Sequence, residues 1–272
     1  MARRDAVHPL AGTGAEVVMI SPAPSTRESL KVDRASLRMR LTGKLMALGY
    51  QLTGKDRYDD FRLERVNGAP FIVTPSVFNP KVPRTGEFLA SLIDATLVSR
   101  DCEVLDMGTG SGVCAVFAAK YARRVVAVDI NPAAVRCAGI NALLNNLEHK
   151  IDVRLGDLFA AVPNERFDLI LFNPPFLRGV PRDDRDRAWR SSDVAERFAA
   201  GLAARLKLGG TALVLLSTFG DGRHFLEQLS KQDLEISVLA ERRFVNEKLT
   251  VFKLAPTVEM PLTRRTVPAE RF

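Results

Sequence analysis

Cysteine is scarce in this 272-residue chain: only Cys102, Cys114 and Cys137 occur, an odd number that cannot pair off completely. Their apolar surroundings point to buried, reduced thiols and exclude a disulfide-built scaffold. They form no Cys-x-x-Cys pair, and His8, His149 and His224 are scattered, so no zinc-ligand spacing is offered. No apolar run reaches the roughly 20 residues needed to cross a bilayer. Two arginines follow the start, Met1-Ala2-Arg3-Arg4, but no apolar segment comes behind them. That argues against a secretory signal, and with the reduced thiols it gives a cytoplasmic expectation without a membrane partner. The chain also lacks internal repeats, and it has no Lys/Arg tract interleaved with aromatics.

What is present suits one ordinary α/β domain with an appendage, and a 46% hydrophobic content is enough for a sizeable core. The net charge of +7 favours acidic partners such as RNA or ribosomes, although a solvated surface accounts for it equally well.

The most informative stretch runs from Phe167 through Asp168-Leu169-Ile170-Leu171-Phe172 to Asn173-Pro174-Pro175-Phe176. It reads as a buried strand that must leave its sheet at the two prolines, which lack an N–H for the ladder. The Asn173 amide and the Pro174 carbonyl then stand at a strand's C-terminal end, where ligands bind in open α/β sheets. Two acceptors beside an aromatic ring suit the holding of a planar –NH2 group. The plain alternative is turn chemistry.

A second strand, Glu103 to Met107, runs into Gly108-Thr109-Gly110-Ser111-Gly112 and then a helical run from Val113 to Lys120. Glycines permit close backbone approach to a ligand, and the helix start offers free N–H groups. The spacing is not the Gly-x-Gly-x-x-Gly of dinucleotide folds. Asp106 precedes this turn, placed to brace the loop or meet a cationic ligand. Arg124 to Asp129 forms another buried strand, and its terminal acid stands where ribose hydroxyls are gripped, with Pro132 ready to start the next helix. Asp157, after the short strand Ile151 to Leu155, could accept from an adenine amino group. Singly, each acid is more often a cap or a solvated charge.

In this order the motifs resemble those of class I S-adenosylmethionine-dependent methyltransferases, and Asn-Pro-Pro-Phe resembles the group that methylates planar nitrogens. The similarity is greatest to HemK-type protein-glutamine N5-methyltransferases and covers about residues 66–255. Gly68 to Val73, Val77-Phe78-Asn79-Pro80-Lys81 and Thr85-Gly86-Glu87 are similar to the segment before that family's glycine loop, with Lys81 in place of its arginine. Arg187-Ala188-Trp189 and Asp193 to Phe198 look like its archaeal and eukaryotic branch. The resemblance implies a Rossmann-like seven-stranded sheet with its last strand antiparallel, preceded by a helix and a β-hairpin. It also implies S-adenosylmethionine as cofactor, held by Thr85, Asp106, Gly108, Thr109, Gly110, Gly112, Asp129, Ile130, Asn131, Asp157 and Leu158, with Asn173 shared. Catalysis falls to Asn173, Pro174, Pro175 and Phe176, with no metal. The implied acceptor is a glutamine of a release factor or ribosomal protein. Phe176 stands where HemK-type enzymes usually carry tyrosine, and relatives with phenylalanine methylate exocyclic amines of RNA bases. A small molecule and a non-catalytic binding module complete the alternatives.

Residues 1–26 read as a flexible tail, and 27–95 as an N-terminal helix and hairpin that could serve substrate recognition. Residues 96–255 read as the cofactor-binding catalytic domain and 256–272 as a second tail. The helix, about 27–49, carries Leu30, Leu37, Leu41, Leu45 and Leu48 on one stripe, flanked by Arg27, Lys31, Arg34 and Arg38. Asn67-Gly68 marks the hairpin turn, and Pro70 is expected to shorten its second arm. Trp189 is expected in the core rather than at the mouth of the site.

Overall fold

The computed structural model describes residues 17–19, 60–81, 84–183, 186–245 and 247–257. The expected basic helix at 27–49 lies outside these residues. In chain order the strands are β1 (Val17–Met19), β2 (Arg62–Val66), β3 (Ala69–Val73), β4 (Glu103–Met107), β5 (Arg124–Asp129), β6 (Ile151–Leu155), β7 (Phe167–Phe172), β8 (Leu177–Arg178), β9 (Arg190–Ser191), β10 (Leu206–Ser217), β11 (Leu234–Arg243) and β12 (Lys248–Pro256). The helices are α1 (Thr85–Ser91), α2 (Val113–Ala119), α3 (Pro132–Leu144), α4 (Val194–Arg205) and α5 (Gly222–Leu229).

The main sheet has the order β6-β5-β4-β7-β10-β12-β11-β1. β6, β5, β4, β7 and β10 run parallel, and β12 is antiparallel to both β10 and β11. That is the seven-stranded methyltransferase sheet with its last core strand reversed. Both faces are covered, so the central strands are apolar almost throughout. Val104, Leu169, Leu171, Leu213 and Val251 face α1 and α2 in one cluster. Their chain neighbours Leu105, Ile170, Phe172, Val214 and Phe252 face α4 and α5 in the other. The chain reverses from strand β4 to strand β7 at the middle of the sheet, where the crevice of an open α/β fold lies.

Three expectations need correcting. The tail expected over 1–26 contains β1, which pairs antiparallel with Ala240, Glu241 and Arg242 and covers part of the outer edge of β11. The tail expected from 256 onward begins inside β12, where Pro256 is in register with Leu234. Pro70 does not shorten the hairpin: β3 runs from Ala69 and pairs in register with all five residues of β2. The amide of Ile72, two residues on, points away from β2 to Asn141, so Pro70 occupies an outward position where no ladder hydrogen bond is lost. The turn itself has both central residues at positive φ, Asn67 at 46° and Gly68 at 85°, as a type I′ turn requires.

The hairpin packs on the sheet domain through Phe71, fully buried and stacked on Phe117 at 6.3 Å between centroids. Asn141, also fully buried, ties it further. Its Nδ2 donates to the carbonyls of Ile72 (2.7 Å) and Ser111 (2.8 Å), and its Oδ1 accepts from Ile72 N at 2.7 Å. One side chain thereby joins hairpin, α3 and glycine loop.

Candidate active site

The C-terminal ends of β4, β5, β6 and β7 open into one cleft. Gly108, Gly110 and Gly112 follow β4 at φ of 64°, 56° and 81°, conformations that cost other residues strain. Their surroundings differ. A Cβ on Gly112 would come within 3.0 Å of Ala138 Cα, so this glycine lets α3 pack against the loop. A Cβ on Gly110 would meet nothing within 4 Å, because that position faces the open cleft.

Asp106 braces the loop from beneath: Thr109 Oγ1 donates to it at 2.6 Å and Ala115 N at 3.0 Å. Burial pushes its carboxyl up to about 7, against the lowering effect of those two bonds. Asp129 accepts from Gly110 N at 2.8 Å through Oδ2 and from Asn131 N at 2.9 Å through Oδ1. Burial raises its carboxyl as well. The carboxylate still has acceptor capacity left for a hydroxyl donor. Asn131 is occupied structurally: its Oδ1 caps α3 at Ala133 N, 2.9 Å away, and its Nδ2 donates to Ser76 O at 3.1 Å. Asp157 forms an ion pair with Arg197 of α4 at 2.7 Å.

Asn173 stands on the opposite side, directly after β7. Its Nδ2 donates to Thr85 Oγ1 at 3.1 Å, and Thr85 is fully buried at the start of α1. The Oδ1 of Asn173 is buried and has no partner among the described residues. The Pro174 carbonyl likewise accepts no hydrogen bond from the described residues. Among the described residues, then, neither of these acceptors on consecutive residues is filled, and leaving one buried polar atom unpaired costs about 1–3 kcal/mol. The ring of Phe176 lies 6.3 Å from Trp189, which packs edge-on to Phe78 at 4.8 Å. Trp189 is half-buried in this aromatic group beside the cleft, not in the core. The short parallel pairing of β8 with β9 holds it there, through Leu177 N to Trp189 O at 2.7 Å.

Asp106, Gly108, Thr109, Gly110, Asp129, Ile130, Asn131, Asp157, Leu158, Asn173, Pro174, Pro175 and Phe176 all line the cleft. Thr85 stands behind Asn173, and Gly112 packs beneath the loop. Sequence reasoning missed Asn141 and Arg197. The signal for Asn141 was its place on the stripe Ala134, Cys137, Ala138, Asn141, Ala142, a polar residue where α3 buries its apolar face. Among the described residues no group of three or more His, Cys, Asp and Glu could hold a metal ion. The cleft fits an adenosyl cofactor: a loop open over Gly110, an acid with free lone pairs at the next strand, and a second acid one strand further.

A glycine loop of this form on this sheet defines a class I S-adenosylmethionine-dependent methyltransferase. The chain belongs to the methyltransferase small domain family, whose model matches residues 69–242. A release factor glutamine methyltransferase from Cereibacter sphaeroides is 34% identical over 78% of this chain and 76% of its own length. A ribosomal protein uL3 glutamine methyltransferase from Bradyrhizobium diazoefficiens is 39% identical over 60% of this chain and 57% of its own. Among solved structures, the T. thermophilus 16S rRNA N2 methyltransferase in complex with AdoMet and guanosine aligns with a TM-score of 0.54 and 27% identity. That alignment covers 71% of this chain and 49% of the other, so this chain spans about half of that protein. The chain is thus an S-adenosylmethionine-dependent methyltransferase related to the HemK-type enzymes.

Proposed function

We propose that this enzyme methylates the side-chain amide nitrogen of a glutamine in a release factor or ribosomal protein, and that the residues lining the cleft carry the roles expected of them. The unpartnered pair of acceptors, Asn173 Oδ1 and the Pro174 carbonyl, carries the reading. A primary amide brings two N–H donors on one nitrogen, matching two unfilled acceptors. The relatives named for glutamine support the choice of acceptor.

An amide nitrogen is a poor nucleophile because its lone pair is delocalised. Asn173, with Nδ2 anchored on Thr85, presents Oδ1 to one N–H, and Pro174 presents its carbonyl to the other. The nitrogen is thereby turned so that its lone pair faces the glycine loop. Phe176 flanks the flat group, and Pro175 with Pro174 keeps the loop off the sheet. The gain comes from orientation and from electrostatics built before the substrate arrives. The bound cofactor supplies an electrophilic methyl on a sulfonium centre. Asp129 holds the ribose side and Asp157 the adenine side, while Asp106 keeps the loop in shape. No helix among the described residues is long and apolar enough to cross a membrane, and the substrates named for the relatives favour a cytoplasmic location.

Phe176, together with the rRNA methyltransferase neighbour, favours a second reading, the exocyclic amine of an RNA base. Transfer of labelled methyl from S-adenosylmethionine into lysate of a host lacking the gene separates the two, with Asn173→Ala as control. Label that survives RNase and is lost to protease is expected. Label lost to RNase moves the acceptor to RNA.

A further inference from the structure

Arg197 falls within the Asp193–Phe198 stretch, to which the sequence assigned no role at the site, yet the fold brings it across 40 residues of chain to the cleft. It stands one helical turn before Gly201, where a Cβ would come within 2.5 Å of Phe159 Cδ2. The absence of that Cβ lets α4 settle onto the turn at 158–161, and this packing sets Arg197 over Asp157. Its Nη2 donates to Asp157 Oδ2 at 2.7 Å, and its Nη1 lies 3.6 Å from Asp193 Oδ2. Asp157 Oδ1 has no partner among the described residues. Leu158, the next residue, sits at φ 48°, a left-handed conformation uncommon for a leucine and a mark of local strain at the cleft.

The side chains of Arg197 and Asp157 are 42% and 40% exposed. Ion pairs at such exposure add little to folding stability, about 0–1 kcal/mol, so stability does not explain the arrangement. Geometry does. A lone aspartate on a loop samples several rotamers. One tied by a single oxygen offers the other in a fixed direction. Asp129 ends β5 and Asp157 follows β6, so a nucleoside whose ribose meets the first acid extends its base toward the second.

We propose that Arg197 is a positioning residue for the cofactor's adenine: it holds the Asp157 carboxylate by Oδ2 and thereby presents Oδ1 to the exocyclic amino group. This rests on the reading that S-adenosylmethionine occupies this cleft with its base beyond Asp129. Arg197 acts through Asp157 and does not itself touch the base.

A double-mutant cycle tests it, with S-adenosylhomocysteine as the probe, titrated calorimetrically into the full chain. Arg197→Ala weakens binding on the order of five-fold, Arg197→Lys recovers part of the loss, and Asp157→Ala weakens binding further. In the Asp157→Ala background, replacing Arg197 changes affinity by less than about two-fold. The melting temperature of Arg197→Ala stays with that of the wild type, which separates positioning from a folding defect. Unchanged affinity in Arg197→Ala overturns the assignment. So does an equal loss in both backgrounds, because the arginine then acts independently of the acid. Failure of the wild type itself to bind S-adenosylhomocysteine overturns instead the cofactor placement beneath the assignment.

Discussion

Asn173→Ala is the substitution in which function and stability part most sharply. The wild-type side chain makes one hydrogen bond, Nδ2 to Thr85 Oγ1 at 3.1 Å, and leaves its Oδ1 buried without a partner. Removing the amide forfeits that bond and leaves the fully buried Thr85 Oγ1 without it, a loss of about 1–3 kcal/mol. It also removes the unpaired acceptor, which relieves about 1–3 kcal/mol. The two terms nearly cancel, so its urea midpoint should stay close to that of the wild type. Activity should move the other way. Deleting one preorganised hydrogen-bonding group at a reacting centre typically costs about 10²–10³-fold in kcat, or roughly 2.7–4 kcal/mol. Calorimetric titration with S-adenosylhomocysteine should show cofactor binding retained. A variant within a few-fold of the wild-type rate removes Asn173 from the chemistry. A stability loss of several kcal/mol shows instead that the residue is structural.

Three further expectations follow from the same site. Asp106 has its carboxyl raised to about 7 in the folded state against 3.8 as the ordinary value, so the folded protein binds that proton more tightly than the unfolded chain. Its contribution is therefore present below about pH 4 and is lost as pH rises toward 7, at up to roughly 1.4 kcal/mol per pH unit. Urea midpoints of wild type and Asp106→Asn, measured from pH 4 to 8, should diverge in that window, with the wild type falling relative to the variant; parallel curves refute the raised carboxyl. Asn141→Leu abandons the Ser111 carbonyl and the Ile72 amide in the interior and leaves the Ile72 carbonyl only the weak Cys137 thiol donor, and a loss of about 3–5 kcal/mol in denaturant unfolding is expected. Gly112→Ala and Gly110→Ala should separate packing from ligand access. The first should lower the melting temperature through contact with Ala138, and the second should chiefly weaken cofactor affinity, read by calorimetry on both variants.

The sequence by itself carried the features that local chemistry writes. Short, nearly continuous apolar runs marked the buried strands from Glu103 to Phe172, and the Asn-Gly pair marked the hairpin turn. Two prolines ended β7, and the glycines and acids at strand ends marked the cofactor side. Charge was a weaker guide. Residues 1–59 hold ten Lys and Arg against six Asp and Glu, more than half of the +7 excess, so the catalytic sheet is itself close to neutral. Only the tertiary structure decided the rest, because it depends on residues far apart in the chain. Thr85 reaches Asn173 across 88 positions, Asn141 reaches Ile72 across 69, and Arg197 reaches Asp157 across 40. Periodicity reports which face of an element is apolar. It carries no record of which buried polar atom finds a partner, and here the catalytic reading depends on one that does not.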